Sequence, residues 1–487
     1  MSEKSKNFYI TTTLPYVNSE PHMGHALEFV RADVIARYKK LMGFEVFFNT
    51  GTDEHGQKVF QKATEAGKTT KEFTDFYANK FQELLKLLGI TEEEGITRNF
   101  IRTTDESHIK SAQEFWKICD KNGYIYKKNY QIKYCVGCEL EKTDSDLVDC
   151  KCPDHPNTPL EIRDEENYFF KFSAFGDKLL KFYKENPTFV IPDFRFNEIK
   201  AFVERGLQDF SISRLKSKMP WGIEVPGDSE QIMYVWFDAL VNYISAIGWP
   251  DDLEKFNKWQ IETGGMVQYC GKDNLRQQSA MWQAMLMAVG LPNSKTVVIN
   301  GFVTGPGGIK MSKSIGNVVN PVDLIQKYDT DALRYFVTRE LSTFEDSPVS
   351  EEIFKEAYNA NLANGLGNLT SRVMKMAETN LEKPVEISEK IIPQDFSGFL
   401  EKFEIQKAVD IIWKKVSELD GLIQKEQPFK LVKTDKEKGI SIIETLVKEL
   451  YVIGEMLNPI MPETSKKIKE LVKENKAPEK PLFLRVE

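Results

Sequence analysis

The stretch "KNFYITTTLPYVNSEPHMGHALEFVRADVIARYKKLMGFEVFFNT", residues 6–50, decides the fold class. It begins with β-branched and aromatic residues and turns at a proline, which is typical of a strand that runs into a loop. Apolar residues then recur every three or four positions over 24–43, and Gly43 follows them, which predicts an amphipathic helix with a glycine stop. A second apolar strand begins at once. Strand, helix and strand in this order predict the first βαβ unit of a parallel sheet.

Beyond this unit the pattern changes three times along the chain. An aromatic and cysteine-bearing region interrupts the alternation, which resumes at "MYVWFDALVNYISAIG", and long helical patterns without strands follow residue 350. We expect the first half of a Rossmann-like domain at 1–117, a connective insertion at 118–230, the second half at 231–320, a linker region at 321–350 and a helical domain at 351–487.

The composition of the chain is that of an ordinary globular enzyme. It has 487 residues, of which 41% are hydrophobic and 28% charged, enough for about three domains with a substantial core. No apolar run approaches the roughly 20 residues of a membrane helix, and no signal peptide is visible, so a cytoplasmic protein without a membrane span is expected. The net charge of −8 argues against indiscriminate nucleic-acid binding but permits a local basic surface.

A cysteine cluster in the expected insertion predicts a metal site. Cys135 and Cys138 form one tight pair, Cys152 and His155 a second, and thirteen residues separate the pairs. Such spacing suits a tetrahedral structural zinc site with a complete shell of four ligands, one Zn²⁺ per chain. Cys150 is an alternative to Cys152. The fold class is therefore α/β, a split Rossmann-like parallel sheet with a zinc-bearing insertion, followed by an all-α helical bundle.

Two further motifs carry candidate phosphate chemistry. "GGIKMSKSIGN", 307–317, places two lysines and interleaved hydroxyls after glycines, which suits a polyphosphate but also describes a solvated basic turn. In "HMGH", His22 and His25 bracket Gly24 where a loop enters a helix. They can be a metal pair, structural histidines, or an anion site at a helix N-terminus where Gly24 lets a nucleotide approach.

Taken together, the motifs make the sequence resemble the class I aminoacyl-tRNA synthetases, and among them the methionyl-tRNA synthetase family. The resemblance runs nearly the whole length, through "LPYVN", "PHMGH", "TGTDEHG", "YCVGCE…CPDH", "MYVWFDALVNY", "GKD", "KMSKS" and "DALRYF". It implies that L-methionine attacks ATP as a carboxylate to form methionyl-adenylate with release of diphosphate, and that the methionyl group then passes to tRNA(Met) with release of AMP. Such a reaction needs positioning and charge stabilisation rather than a general base.

The resemblance implies that the Rossmann-like domain is catalytic, that the linker at 321–350 contacts the tRNA stem and that the helical domain at 351–487 binds the anticodon. It also implies roles for individual residues. Catalytic roles at the ATP phosphates fall to His22, His25, Lys310 and Lys313. ATP-binding roles fall to Gly24, Asp273, Lys310, Ser312 and Lys313, and Mg²⁺ accompanies ATP. Asp53 matches the carboxylate that pairs with the substrate ammonium, and the methionine side chain would be lined by Leu14, Tyr16, Trp236, Ala239, Tyr243, Asn274 and Gln278.

This sequence departs from the family pattern at several of these positions. Asn274 and Gln278 stand where many relatives have an apolar residue and a histidine, and Leu240 replaces a frequent proline. Among the residues implied to bind the anticodon, Asn368 and Arg372 match, whereas Phe429 replaces a tryptophan and has a core position as its alternative. The chain shows no further module after the helical region, from which a monomer is expected.

Other readings of the sequence predict different features. Another class I synthetase of the branched-chain group would need a larger insertion than the 285 positions between His25 and Lys310 allow. A non-catalytic tRNA-binding relative would be expected to have lost the histidines and lysines, and here they are all present.

Overall fold

In a computed structural model of the protein, the described residues are 6–138, 140–142, 146–308, 319–387 and 392–487. They form two compact units. The first comprises the residues up to Pro21, Phe44–Glu83 and Glu92–Ile299; the second comprises His22–Gly43, Leu84–Thr91 and Asn300–Glu487. Within the described part of the chain, no helix combines the length and the apolar character that a bilayer crossing requires.

The described strands are β1 (Lys6–Thr12), β2 (Phe44–Thr52), β3 (Ile96–Arg102), β4 (Ile125–Cys135), β5 (Leu140–Glu141), β6 (Glu161–Phe170), β7 (Val190–Ile191), β8 (Phe210–Ser211), β9 (Ser213–Leu215), β10 (Glu224–Val225), β11 (Asp228–Met233), β12 (Val267–Gly271), β13 (Thr296–Asn300), β14 (Val303–Thr304) and β15 (Ser347–Pro348).

The described α-helices are α1 (Met23–Leu41), α2 (Gln57–Glu65), α3 (Thr70–Leu87), α4 (Glu106–Lys121), α5 (Gly176–Glu185), α6 (Asp193–Glu204), α7 (Val235–Ala239), α8 (Asn242–Ser245), α9 (Leu253–Phe256), α10 (Trp282–Val289), α11 (Pro321–Tyr328), α12 (Thr330–Tyr335), α13 (Glu351–Ala357), α14 (Asn368–Asn380), α15 (Gln394–Glu401), α16 (Ile405–Glu426), α17 (Pro428–Thr434), α18 (Lys436–Leu457) and α19 (Pro462–Glu474). Turns of π-helix occupy Asn257–Ile261, Gln277–Met281, Phe336–Glu340 and Tyr358–Gly367.

A six-stranded sheet organises the first unit, in the order β3-β2-β1-β12-β13-β7. β1 pairs in parallel with β2 and β12, β2 with β3, and β13 with β7. The inner residues of β1 and β2 are buried, as expected of central parallel strands covered on both faces. The predicted fold class, a parallel sheet followed by a helical region, is confirmed.

The segment expected as an insertion contributes to more than one sheet. β4, β5, β6 and β8 form an antiparallel sheet, β9, β10 and β11 form another, and β7 adds an edge strand to the large parallel sheet. From residue 351 onward the described elements are all helical. The segment boundaries themselves stay a prediction.

Helix α1 lies where its sequence predicts, but the expectation of an amphipathic helix is wrong. Its charged residues Arg31, Asp33, Arg37 and Lys39 are buried along with its apolar ones. Asp33 Oδ2 lies 2.7 Å from Nη2 of Arg334. The Arg31 guanidinium donates five hydrogen bonds to oxygen atoms. Those acceptors are the carbonyls of Val337, Leu341, Ser342 and Thr343 and the side chain of Asn300, at 2.9–3.2 Å. The polar side of α1 is therefore covered by the second unit's own residues.

Candidate active site

The strand order places a crevice between β1 and β12. The chain continues from β1 to β2 on one side and from β12 to β13 on the other, so the order reverses between the two strands. In open parallel sheets, ligands bind outside the carboxyl ends of the strands at such a point. Leu14 and Tyr16 follow β1, and Asp273 and Asn274 follow β12, so these predicted site residues leave adjacent strands at the same edge.

Asp53 is held beside Tyr16 by backbone pairing. The two residues form a parallel β-bridge, in which the Asp53 N–H donates to the Pro15 carbonyl at 2.9 Å and the Val17 N–H donates to the Asp53 carbonyl at 3.2 Å. Asp53 is buried, while Tyr16 and Leu14 are half-buried. A buried carboxylate next to an accessible ring can bind a cationic group of a ligand.

Glu54, which the sequence analysis did not single out, holds the backbone next to Asp53 in place through hydrogen bonds. Its carboxylate accepts hydrogen bonds from Arg102 Nε at 2.6 Å and Nη2 at 2.8 Å, and from the hydroxyls of Thr52 and Thr104. Its carbonyl accepts from Trp221 Nε1 at 2.6 Å. Nothing local in "TDEHG" distinguishes the roles of its two acids, because the arginine partner of Glu54 lies 48 positions away.

Tyr243 and Gln278, both predicted to line the methionine pocket, are joined directly. Gln278 Nε2 donates to the Tyr243 hydroxyl at 2.7 Å, and both side chains are buried. Trp236 and Ala239 are half-buried on α7. Asn274 instead donates to the carboxylate of its neighbour Asp273 at 3.2 Å, near the surface. The structure thus brings Gln278 to Tyr243 and keeps the Asn274 amide at Asp273.

His22 and His25 form a capping arrangement at the start of α1. Nδ1 of His22 accepts from the Gly24 N–H at 3.1 Å, and Nδ1 of His25 accepts from the His22 N–H at 3.2 Å. Their rings stack with centroids 3.7 Å apart. A neutral imidazole that accepts at Nδ1 carries its proton on Nε2. Both rings therefore present Nε2–H donors at a helix N-terminus, which favours anions.

The protonation of this pair follows from its surroundings. Desolvation lowers the pKa of both rings, although part of His22 remains exposed, and the pKa of His25 lies well below its ordinary value because the His22 ring also acts on it. Gly24 has a local reason to be glycine. A Cβ at this position would approach the His22 ring to 3.0 Å, so the glycine makes room for the ring itself.

The predicted residues of the lysine motif, Lys310, Ser312 and Lys313, lie outside the described residues. β14 and the turn at Pro306–Gly308 lead into this motif.

The cysteine cluster assembles as its spacing predicts. The ligand atoms of Cys135, Cys138, Cys152 and His155 all lie within 4.8 Å of one another, with Cys138 Sγ 3.3 Å from Cys152 Sγ and 3.2 Å from His155 Nδ1. Cys150 is exposed and outside the group, so the arrangement favours Cys152 over Cys150 as the fourth ligand.

The fit of this cluster to a metal ion rests on its geometry and on one glycine. Four ligands about 2.0–2.3 Å from a tetrahedral ion lie about 3.3–3.8 Å from one another, close to the separations found. A Cβ on Gly137 would meet the His155 ring at 2.4 Å, so only glycine allows the first turn to approach the histidine. The cluster can hold a metal ion.

In the helical region, two of the three predicted anticodon residues line one groove. Arg372 on α14 and Phe429 on α17 face a groove of about 860 Å³, whose other lining residues are Ser371, Lys375, Met376, Thr379, Asn380, Ile423, Val432, Lys433, Ala477 and Pro478. Arg372 pairs with Asp420, and Phe429 is 45% exposed, which excludes the core position considered for it. Asn368 is exposed at the start of α14 and does not line this groove.

Comparison with known proteins decides the family. The sequence model described as "tRNA synthetases class I (M)" matches residues 8–158 and 142–374. The methionine–tRNA ligase of Caldanaerobacter subterraneus is 42% identical over 96% of this chain and 74% of its own length. The chain belongs to the methionyl-tRNA synthetase family of class I.

Other members of the family agree over the same length. The methionine–tRNA ligase of Brucella suis is 37% identical over 96% of this chain and 92% of its own. The structure of Mycobacterium tuberculosis methionyl-tRNA synthetase in complex with methionyl-adenylate aligns with a TM-score of 0.85 and 35% identity, over 95% of this chain and 93% of that one. The apo form of the same enzyme aligns with a TM-score of 0.81 and 30% identity, over 100% of this chain and 99% of that chain. The family expectation drawn from the motifs is confirmed.

Proposed function

We propose that this protein ligates L-methionine to tRNA(Met). Methionine and ATP form methionyl-adenylate with release of diphosphate, and the methionyl group then passes to the tRNA with release of AMP. The observation that carries the proposal is the alignment of 95% of the chain with an enzyme solved with methionyl-adenylate bound. The reversal of strand order between β1 and β12 supports the proposal, since ligands of open parallel sheets bind at such a point.

The amino-acid site is proposed to lie at the crevice between β1 and β12. The buried carboxylate of Asp53 would pair with the substrate ammonium, and Leu14, Tyr16, Trp236, Ala239, Tyr243 and Gln278 would surround the thioether. Half-buried aromatic rings suit the flexible, polarisable methionine side chain. Asn274 is proposed to act at the mouth of the site, where its amide holds Asp273, the residue assigned to ATP.

Phosphate contacts are proposed for the histidine pair and the lysine motif. The Nε2–H groups of His22 and His25 would donate to the ATP phosphates, next to Gly24. Lys310, Ser312 and Lys313 would neutralise charge on the departing diphosphate, and Mg²⁺ would enter with ATP. Donors fixed before the reaction stabilise developing charge without reorganisation.

The metal of the cysteine cluster is proposed to be zinc. Cys135, Cys138, Cys152 and His155 would hold one ion per chain. With four protein ligands no position is left for substrate, so the ion would stabilise the local fold. Metal analysis should find about one zinc per chain, and Cys135→Ser should lose it.

Anticodon contacts are proposed for the groove of the helical region. Phe429 would stack on a base, and Arg372 and Asn368 would contact neighbouring nucleotides. A cytoplasmic location and a monomeric state also stay predictions, the second of which light scattering on the purified protein checks.

Charging of tRNA tests the proposed function. Purified protein, ATP, Mg²⁺, labelled methionine and unfractionated tRNA should yield acid-precipitable label. Omitting ATP, or oxidising the tRNA 3′ end with periodate, should abolish it. Label that accumulates without ATP, or with leucine in place of methionine, would contradict the assignment.

A further inference from the structure

Behind Tyr243 and Gln278 lies a chain of buried amide and hydroxyl groups that the reaction as described does not use. Gln268 Nε2 donates to Gln278 Oε1 at 2.6 Å, and the Ser294 hydroxyl donates to Gln268 Oε1 at 2.6 Å. Gln283 Nε2 donates to Ser294 Oγ at 3.0 Å. The members of this amide chain, Gln268, Gln278, Gln283 and Ser294, are each at most 3% exposed.

The direction of the amide chain is set by backbone groups at one end. Gln283 Oε1 accepts from the Ser294 backbone N–H at 3.0 Å, and Gln283 Nε2 donates to the Gln278 carbonyl at 2.8 Å. A backbone N–H can only donate and a carbonyl can only accept, so the Gln283 amide has one orientation.

The orientation of the Gln283 amide determines the direction of each following hydrogen bond in the chain. Ser294 Oγ accepts from Gln283, and Gln268 is the only acceptor that the described residues offer to the Ser294 hydroxyl hydrogen. Gln268 must therefore turn its oxygen to Ser294 and its NH₂ to Gln278. Gln278 in turn directs its own NH₂ to Tyr243, whose hydroxyl oxygen becomes an acceptor.

We propose that Gln268 is a positioning residue for amino-acid selectivity: by fixing the direction of the Gln278 amide, it makes the Tyr243 hydroxyl a donor toward the bound side chain. This rests on the proposed function, in which Tyr243 lines the methionine site. A thioether sulfur is a weak hydrogen-bond acceptor and a methylene is none. The amide chain therefore favours methionine over norleucine, the isostere with CH₂ in place of sulfur.

Substitutions of Gln268 that reverse or remove its hydrogen bond to Gln278 test the proposal. The carboxylate introduced by Gln268→Glu can still accept a hydrogen bond from Ser294 but cannot donate one to Gln278. The Gln278 amide must therefore rotate so that its NH₂ donates to the carboxylate and its oxygen accepts from the Tyr243 hydroxyl. Gln268→Met removes both hydrogen bonds at similar volume and leaves the Gln278 amide free to turn. The readout is the ratio of kcat/KM for methionine to that for norleucine in ATP–pyrophosphate exchange, measured at pH 8.5 to keep the new carboxylate ionised.

We expect the ratio to fall in the order wild type, Gln268→Met, Gln268→Glu, by about three- to tenfold overall, the worth of one hydrogen bond. The KM for ATP should stay unchanged. Gln231→Glu is the matched control, because Gln231 is equally buried but joins Ser213 to the Glu166 carbonyl in a different sheet. Its ratio should equal that of the wild type.

The outcomes separate the proposal from the function on which it rests. If one Gln268 variant fails to fold, the other decides. An unchanged ratio in the folded variants overturns the positioning role, as does an equal fall in Gln231→Glu. Wild-type protein without methionine-dependent exchange would instead overturn the proposed function.

Discussion

At the scale of single residues, His22 and His25 show what hydrogen-bond geometry adds to a motif. The sequence left them as a metal pair, structural histidines or an anion site. Because backbone N–H groups donate to Nδ1 of both rings, the N–H donor of each ring is its Nε2–H group. This could not be predicted from the sequence, since the tautomer depends on how the helix begins.

Two substitutions at His22 separate the cap from the donor. In His22→Asn, the side-chain oxygen can replace Nδ1 as the cap but no group reaches the Nε2 position, so we expect near wild-type stability and an exchange rate about 10²-fold lower or more. His22→Gln can restore the distal donor while losing the cap, so it should cost about 1 kcal/mol in unfolding free energy and retain more activity. Thermal unfolding and pyrophosphate exchange measure the two effects, and equal activity of the two variants would contradict the assignment.

His25 predicts how stability depends on pH. Its pKa in the folded protein is well below the ordinary value, so between that pKa and about 6.5 the unfolded chain binds the additional proton. The stabilisation that neutral His25 provides is therefore present above about pH 6.5 and is lost as the pH falls toward the folded pKa. His25→Asn should lose less unfolding free energy than wild type between pH 7.5 and 5.5 in urea titrations. Parallel curves for the two proteins would refute this.

At the scale of elements, periodicity placed α1 correctly and misjudged its surroundings. The pattern treated Arg31 and Asp33 as solvent-facing because charged residues usually are. Their partners come from residues 300–343, about 270 to 310 positions away, and a local pattern cannot include them. The metal site was predictable for the opposite reason, since its ligands lie in two short turns.

The buried Arg31 is expected to stabilise the second unit strongly. Arg31→Lys keeps the charge but offers three donors where the guanidinium makes five hydrogen bonds, which leaves buried carbonyls unsatisfied. We expect a loss of about 2–4 kcal/mol in the free energy of unfolding by urea. The exposed Arg485 is the control, and Arg485→Lys should change stability by less than about 0.5 kcal/mol. A similar small change at Arg31 would contradict the structure there.

The cysteine cluster gives a second prediction at this scale. Cys135→Ser should abolish stoichiometric zinc, whereas Cys150→Ser, at the exposed cysteine outside the group, should retain it. Metal analysis of the two purified variants measures their zinc content. A full complement of zinc in Cys135→Ser would show that Cys135 is not a ligand.

At the scale of the whole molecule, the resemblance covers nearly the full chain, and so the family was predictable. What the sequence could not supply is local chemistry. Gln278 stood out as a departure from the family, but its link to Gln268, Gln283 and Ser294 depends on how β12 and the segment before β13 meet. Phe429 was left between core and surface, and its exposure places it at a groove.

The two proposed activities should respond separately to changes in the groove. Phe429→Ala removes a stacking surface worth about 1–3 kcal/mol per base, so the rate of tRNA charging at limiting tRNA should fall about tenfold or more. Methionine-dependent pyrophosphate exchange, which needs no tRNA, should be unaffected. Loss of both activities, or of neither, would contradict an anticodon role for this groove.

The central claim is that the chain activates methionine with ATP. Its most direct test is ATP–pyrophosphate exchange by the purified wild-type protein with each amino acid in turn. We predict exchange that requires methionine and is far slower with leucine, isoleucine or valine. Exchange that is equally fast without methionine, or faster with leucine, would contradict the claim.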